Sequence, residues 1–347
     1  MRTLITGATG FVGSHVARQL LDAGHVVRLL VRDQSKAQKL LIDLGIAVDS
    51  EKCELLVGDI TNAQQMESAV AGCTALVHAA AGTPIALPSK DELFAVNVGG
   101  TKNIVGAAVK AGLNSIVHIS SATAVFNADA SKIDLDAPLL MPDMPYGRSK
   151  VEAENYVREQ QAAGAPVSIV YPSGIFGPDD PGFSDTFKAL CHRIHNGFRL
   201  FDNGGMQQVD VRDLAAFVAS LALNGESSES NGRHLVVGNY LSWVEQADLI
   251  EQVSGATLER IPAKGWKMRL IGRMMDVIRM VKTVDTPISA ETMRYATQWP
   301  KMQNSSEIKS RGIAFRDPAE SYIDSLTGLL NAGYLKPEQV PRLAVKQ

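Results

Sequence analysis

Tyr146 and Lys150 stand four residues apart in the run Pro145-Tyr146-Gly147-Arg148-Ser149-Lys150. On a helix that spacing puts a phenol and an ammonium on one face. The ammonium favours the phenolate and lowers a pKa that is otherwise about 10, toward the range where general acid–base catalysis is efficient. Of the seven tyrosines only this one has a lysine at i+4. Pro145 is suited to start the helix, because a proline at the first helical position loses no hydrogen bond. A hydroxyl is the other candidate group. Ser120-Ser121 follows the apolar run Ile116 to Ile119, and ligands of open α/β sheets bind outside the carboxyl ends of the strands. A serine there can hold a carbonyl oxygen while the phenol delivers its proton.

A second motif supplies a place for a ligand. In Thr6-Gly7-Ala8-Thr9-Gly10-Phe11-Val12-Gly13 three glycines recur at three-residue spacing directly after Leu4-Ile5, and an amphipathic stretch runs from Val12 to Ala23. A strand entering a Gly-rich turn and then a helix aims backbone N–H groups and the positive end of the helix dipole at one point, where a pyrophosphate can sit. Gly7 permits the tight turn, Gly10 lets a ligand approach the backbone, and Gly13 lets helix and strand pack closely. The usual dinucleotide fingerprint, G-x-G-x-x-G, has its first two glycines two residues apart, and this motif departs from it there. With a dinucleotide in place, Lys150 can also donate to the ribose of the nicotinamide half.

The elements that must position these groups are legible as an alternation. Short β-branched or Leu-rich runs occur at Thr3 to Thr6, Val26 to Val31, Cys53 to Val57, Ala75 to His78, Ser115 to Ile119 and Val167 to Tyr171, with amphipathic segments starting at Val12, Ser35, Ala63, Glu92 and Tyr146. Such alternation predicts βαβ units and a parallel sheet covered by helices on both faces. After Tyr171 the pattern loosens through Pro172, Gly174, Gly177, Pro178, Pro181 and Gly182; a helix from Asp210 to Leu223 and a strand from His234 to Val237 then rejoin the sheet, and the remainder is mainly helical. The expected fold is α/β: a doubly wound parallel-sheet domain from 1–172 and about 209–237, with a smaller, mainly helical C-terminal substrate domain from about 173–208 and 238–330, and a tail at 331–347.

Composition narrows the function classes. The 347 residues suffice for a large core, and hydrophobic and charged fractions of 45% and 20% are those of an ordinary soluble protein. Thirty-four basic against thirty-seven acidic residues, a net charge of −3, give no field that would favour nucleic acid. Cys53, Cys73 and Cys191 lie far apart with no C-x-x-C or His/Cys cluster. They read as buried thiols of a reducing compartment, and no metal site is expected. Only Met1, Arg2 and Thr3 precede the apolar Leu4-Ile5 of the first strand, and no room for a signal peptide is expected. The longest uncharged stretch, Ser68 to Ser89, is broken by Gly72, His78, Gly82, Pro84 and Pro88, so no transmembrane segment is expected. A cytoplasmic location is the expectation, with a small-molecule substrate and, as the commonest association of soluble enzymes, a homodimer.

Seven motifs in order, Thr6 to Gly13, Gly58-Asp59-Ile60, His78-Ala79-Ala80-Ala81, Asn97-Val98-Gly99-Gly100-Thr101, Ser120-Ser121, Tyr146-x-x-x-Lys150 and Pro172 to Pro178, make the chain resemble an extended short-chain dehydrogenase/reductase over roughly residues 1–240. It is most similar to the dihydroflavonol-reductase and 3β-hydroxysteroid-dehydrogenase branch. The resemblance implies a Rossmann domain, Tyr146 as catalytic acid/base, Lys150 as its pKa partner and ribose ligand, and Ser121, whose spacing to Tyr146 suits the family better than that of Ser120, as the carbonyl-orienting hydroxyl. It also implies that Asp59 and Ile60 flank the adenine and that His78, Ala79, Ala80 and Ala81 line the cofactor. Asn97 would support the site from its helix. The cofactor-binding set is completed by Gly7, Thr9, Gly10, Phe11, Val12, Gly13, Pro172, Gly174 and Ile175.

In such proteins an acid at the end of the second strand binds the ribose 2′-hydroxyl of NAD, whereas a basic residue accommodates a 2′-phosphate. Here that strand ends Leu30-Val31-Arg32 with Lys36 beyond it, which favours NADP over NAD. Sugar-nucleotide members of the family place an Asn where this chain has Gly174 and an Arg where it has Tyr171; both losses favour a less polar carbonyl compound or secondary alcohol. The leading expectation is ketone–alcohol interconversion by hydride transfer. An epimerase or dehydratase that retains its cofactor, and a redox-sensing dinucleotide-binding protein, are the alternatives. Between Lys264 and Lys282, six basic residues stand against Asp276 alone, with Trp266, Leu270, Ile271, Met274, Ile278 and Val281 at helical spacing and Met268, Met275 and Met280 among them. Such a helix can cover an apolar substrate, rest on an anionic membrane surface, or simply pack by its apolar face.

Overall fold

The computed structural model describes residues 1–48, 50–83, 89–127, 133–225, 232–279, 281–282 and 288–344; Pro84, Pro88 and Met280 lie outside them. The chain runs β1 (Arg2–Thr6), α1 (Phe11–Asp22), β2 (Val26–Val31), α2 (Gln34–Asp43), β3 (Cys53–Val57), α3 (Ala63–Val70), β4 (Ala75–His78), α4 (Lys90–Phe94), a π-helical turn Ala95–Gly100, α5 (Thr101–Lys110), β5 (Ser115–Ile119), α6 (Pro145–Ala162) and β6 (Val167–Pro172). It continues with β7 (Gly174–Phe176), α7 (Asp185–Asn196), β8 (Phe198–Phe201), β9 (Gly205–Asp210), α8 (Val211–Asn224), β10 (Arg233–Val236), β11 (Asn239–Ser242) and α9 (Trp243–Ser254). The last elements are β12 (Arg260–Ala263), α10 (Gly265–Arg279), α11 (Ala290–Gln298), α12 (Ser306–Ser310), α13 (Pro318–Asn331) and α14 (Pro341–Ala344).

Seven strands form one sheet in the order β10-β6-β5-β4-β1-β2-β3, every pairing parallel. Strand order reverses between β1 and β4, which opens a crevice outside their carboxyl ends. Both faces are covered, as the near-continuous apolar strands require. On one face Val16, Ala17 and Leu20 of α1 meet Leu214, Val218 and Leu221 of α8; on the other, Met66 of α3, Ile104 of α5 and Val157 of α6 share a second core. Each fully buried leucine of this kind stabilises the fold by about 1.5–3 kcal/mol.

The second half contains more strand than its composition suggests. β9 pairs antiparallel with β11 and parallel with β7, and β8 pairs with β12. Around them Phe176, Phe187, Trp243, Ile250, Tyr322 and Leu326 form a third apolar cluster. The segment expected to be a tail belongs to this cluster, because Leu335, Val340 and Leu343 are buried in it. No disulfide joins the cysteines among the described residues; Cys53 and Cys191 are buried as expected, whereas Cys73 is only half-buried, its sulfur 3.7 Å from the Arg28 guanidinium. No helix among the described residues is long and apolar enough to cross a membrane.

Candidate active site

The Gly-rich turn has the backbone its glycines allow. Gly7 adopts φ +72°, and a Cβ there would stand 2.6 Å from the Ala80 nitrogen. A Cβ on Gly13 would overlap the Gly7 carbonyl oxygen, so α1 and β1 pack at a distance no other residue permits. The Gly10 amide donates to the Gly7 carbonyl at 2.9 Å, and α1 then starts on Gly10 with no side-chain cap and no acid in its first turn. Its leading N–H groups and dipole are thereby left for an anion, the requirement for a dinucleotide pyrophosphate.

A cleft of about 300 Å³ opens above this turn. Of the residues expected at a cofactor, Gly7, Thr9, Gly10, Arg32, Asp59, Ile60, Ala79 and Ala80 line it together. Thr6, Leu30, Val31, Gly58, Gly82 and Val96 line it as well. All but Val96 lie at or just past the carboxyl ends of β1 to β4, so the switch-point rule could have named them; Val96 sits in the π-helical turn, for which the sequence carries no signal.

Other expected residues stand elsewhere. Phe11 packs edge-on against His15 and Phe187, Val12 packs against the first core, and Gly13 is buried in α1. Lys36 is solvent-exposed and pairs with Asp33 at 3.6 Å. Pro172 ends β6, an interior strand of the large sheet, and Gly174 and Ile175 belong to β7 of the separate β11-β9-β7 sheet.

His78 is a correction to the expected cleft lining: it is buried and braces the cleft from beneath. Its Nδ1 lies 2.7 Å from the Thr6 hydroxyl and its Nε2 lies 2.9 Å from that of Thr101. Because the Thr101 hydroxyl donates to the Asn97 carbonyl at 2.6 Å, it accepts from Nε2–H, and Nδ1 accepts from Thr6. Burial, with the Lys150 charge, pushes the imidazole down to about 3 and keeps it neutral. Asn97 extends the network. Its Oδ1 accepts from the Gly82 amide at 2.7 Å and its Nδ2 donates to Ser149 at 2.9 Å, while Ser149 donates to the Tyr146 carbonyl at 2.8 Å.

The helix carrying Tyr146 and Lys150 is anchored at its start and along its inner face. Pro145 is its first residue, and in place of a side-chain cap the Glu291 carboxylate of α11 accepts from the Asp143 and Met144 amides, both at 2.9 Å. Lys150 is buried, and its ammonium donates to the Ile119 carbonyl at 2.9 Å. Desolvation pushes Lys150 down to about 8, with the Glu154 charge opposing. Tyr146 is half-buried, and burial, aided by the Asp185 charge, pushes its phenol up to about 12. The expected lowering of the phenol pKa by Lys150 is corrected: desolvation governs the tyrosine, while the ammonium gives one of its three protons to a backbone carbonyl.

The two serines are in different circumstances. The Ser120 hydroxyl is held by the Glu154 carboxylate, which is itself fully buried and accepts from Arg158 at 2.8 Å and from Tyr171 at 2.7 Å. Ser121 is half-buried, its hydroxyl 2.7 Å from that of Thr123. A second cavity, of about 210 Å³, begins at Thr123 and is walled by Phe126, Leu140, Met141, Pro142, Arg273, Glu291 and Tyr295.

An open parallel sheet with an uncapped Gly-rich turn at its switch point, and a Tyr/Lys helix beside a serine-bearing strand end, define a dinucleotide-dependent enzyme of the doubly wound α/β class. The chain belongs to the NAD dependent epimerase/dehydratase family, whose sequence model matches residues 3–238. It is an enzyme of the oxidoreductase kind that uses a nicotinamide dinucleotide. Sterol demethylase protein B of Methylococcus capsulatus is 33% identical over 252 residues, 71% of this chain and 74% of that protein. A 3 beta-hydroxysteroid dehydrogenase/Delta 5-->4-isomerase of Mycobacterium tuberculosis is 34% identical over 206 residues, 56% of this chain and 52% of its own length. Among solved structures gox2253 superposes with a TM-score of 0.79 at 26% identity, covering 96% of this chain and 99% of the other.

Proposed function

We propose that the protein is an NADP-dependent oxidoreductase that interconverts a ketone and a secondary alcohol on a relatively apolar small molecule, with Tyr146, Lys150 and Ser121 as the catalytic groups. The observation that carries this reading is the 2.9 Å bond from Lys150 to the Ile119 carbonyl, which ties the Tyr146 helix to the strand end bearing Ser121. The nicotinamide dinucleotide supplies or accepts the hydride, held by Gly7, Thr9, Gly10, Asp59, Ile60, Ala79 and Ala80. In reduction Tyr146, a phenol that keeps its proton at neutral pH, protonates the oxygen as it becomes an alkoxide. Ser121, oriented by Thr123, donates to the same oxygen and steadies its charge. Lys150 would hold the nicotinamide ribose with a second of its ammonium protons.

The apolar substrate class rests on two further features. A Cβ on Gly174 would stand 2.5 Å from the Met206 methyl, so the thioether fills the space an asparagine would need there. Tyr171 is buried and bonded to Glu154 and Arg158, away from any phosphate it could serve. The cavity bounded by Phe126, Leu140, Met141 and Tyr295, which Arg273, Glu291 and Arg294 also line, then takes the substrate body. Names of relatives that act on sterols and hydroxysteroids agree with this class.

NADP preference rests on Arg32, exposed at the cleft where a 2′-phosphate would lie. Fluorescence titration with NADPH and NADH, followed by turnover on apolar ketones and β-keto acids, tests the reading. Tighter binding of NADPH is expected, and Arg32→Ala should weaken it about tenfold or more while leaving NADH unchanged, since a bond to a charged group contributes about 1.5–3 kcal/mol. Equal affinities in the parent protein would remove the NADP assignment.

A further inference from the structure

Helix α10 is built inside out. A surface helix ordinarily turns its apolar stripe inward, but here the buried residues are Gly265 and Gly272. A Cβ on Gly272 would stand 2.5 Å from the Ser289 carbonyl oxygen, so close backbone packing at the start of α11 seats the helix. The large apolar side chains face away: Trp266 is 58% exposed, Leu270 51%, Met274 56% and Val277 63%. At 3.6 residues per turn these four fall in one stripe about 80° wide. The reading of plain packing by an apolar face is thus overturned.

Charge is concentrated on the same segment. Within the segment Lys264, Lys267, Arg269, Arg273, Arg279 and Lys282 stand against Asp276 alone, in a chain whose net charge is −3, and from outside it Asp202 pairs with Lys264 at 3.4 Å. The Asp276 carboxylate is engaged by Arg279 at 2.9 Å and by the Ala290 amide at 2.8 Å. Exposed Lys267 and Arg273 flank the stripe. Beside the helix lies a groove of about 450 Å³ where Arg199, Lys264 and Lys267 meet Met268 and Ile271, a cationic rim over an apolar floor.

We propose that the outer face of α10 docks on an anionic lipid bilayer, the Trp266-Leu270-Met274-Val277 stripe entering the headgroup boundary and the flanking bases meeting lipid phosphates. A second copy is a poorer occupant, because a twofold contact would set the same basic flanks against each other. Arg273 also belongs to the cavity beside Thr123, so docking brings the mouth of that cavity to the lipid surface. The docking surface is independent of the chemistry at Tyr146.

Flotation of the full-length protein with phosphatidylcholine vesicles and with mixed phosphatidylcholine–phosphatidylglycerol vesicles tests it. Binding to the anionic vesicles, about tenfold or more above the neutral ones and lost at high salt, is expected. Trp266 emission should shift to the blue on binding, and Trp266→Phe should abolish the shift. Leu270→Asp with Val277→Asp should remove binding while the melting temperature and oligomeric state stay as in the parent, and Lys267→Gln should weaken it about fivefold. Binding without anionic preference, binding that survives the double substitution, or a solution dimer that the double substitution dissociates in a protein that ignores vesicles would each overturn the proposal.

Discussion

The Lys150 ammonium lies 2.9 Å from the Ile119 carbonyl, so a residue in the second turn of α6 is bonded to the last residue of β5. One bond thus fixes the register between the helix that presents Tyr146 and the strand end that presents Ser121. Burial at the same place pushes the Lys150 ammonium down to about 8 by desolvation.

That value gives a pH profile with a definite sign. Below about pH 8 Lys150 is an ammonium; above it the charge is lost earlier than it would be in water, because desolvation favours the neutral amine. kcat/KM for ketone reduction is expected to fall as pH rises through about 8, with Tyr146 still protonated. Lys150→Arg, which stays charged, should remove the fall at whatever activity it retains. A parent profile that stays flat well past pH 8 would detach Lys150 from turnover.

Gly13→Ala puts a methyl group onto the Gly7 carbonyl. Either the turn or α1 must move, and overpacking of this kind costs about 1–3 kcal/mol. A lower melting temperature and weaker dinucleotide binding should appear together. A variant with unchanged affinity would show that the turn does not hold the cofactor.

Glu154 holds Ser120, Arg158 and Tyr171 at a fully buried carboxylate. Glu154→Leu strands the Arg158 charge and should cost about 3–5 kcal/mol in denaturant unfolding. Adding Arg158→Leu should recover part of that loss, because the stranded charge goes with it. If the double substitution is no more stable than the single one, the pair is not the unit that the geometry makes it.

Much of the fold was legible because its strands are buried on both faces and read as apolar runs: Val26–Val31, Cys53–Val57, Ala75–His78 and Ser115–Ile119 were bounded to the residue. The strands β7, β8, β9, β11 and β12 were not: β7, β8, β11 and β12 are only partly buried and β9 carries Gln207 and Gln208, so none reads as an apolar run. At the site, glycine spacing and the Tyr/Lys pair announced themselves, since each rests on local geometry. Which way a side chain turns did not. His78 turns into the core and Trp266 out to solvent, and only the packing of other segments decides either.

The central claim, that the Tyr146 phenol delivers the proton, is tested most directly by Tyr146→Phe assayed for NADPH oxidation on an apolar ketone beside a fluorescence titration of the same protein. The expected result is turnover reduced about a hundredfold or more, as for loss of a general acid, with NADPH affinity unchanged. Undiminished turnover would contradict the claim.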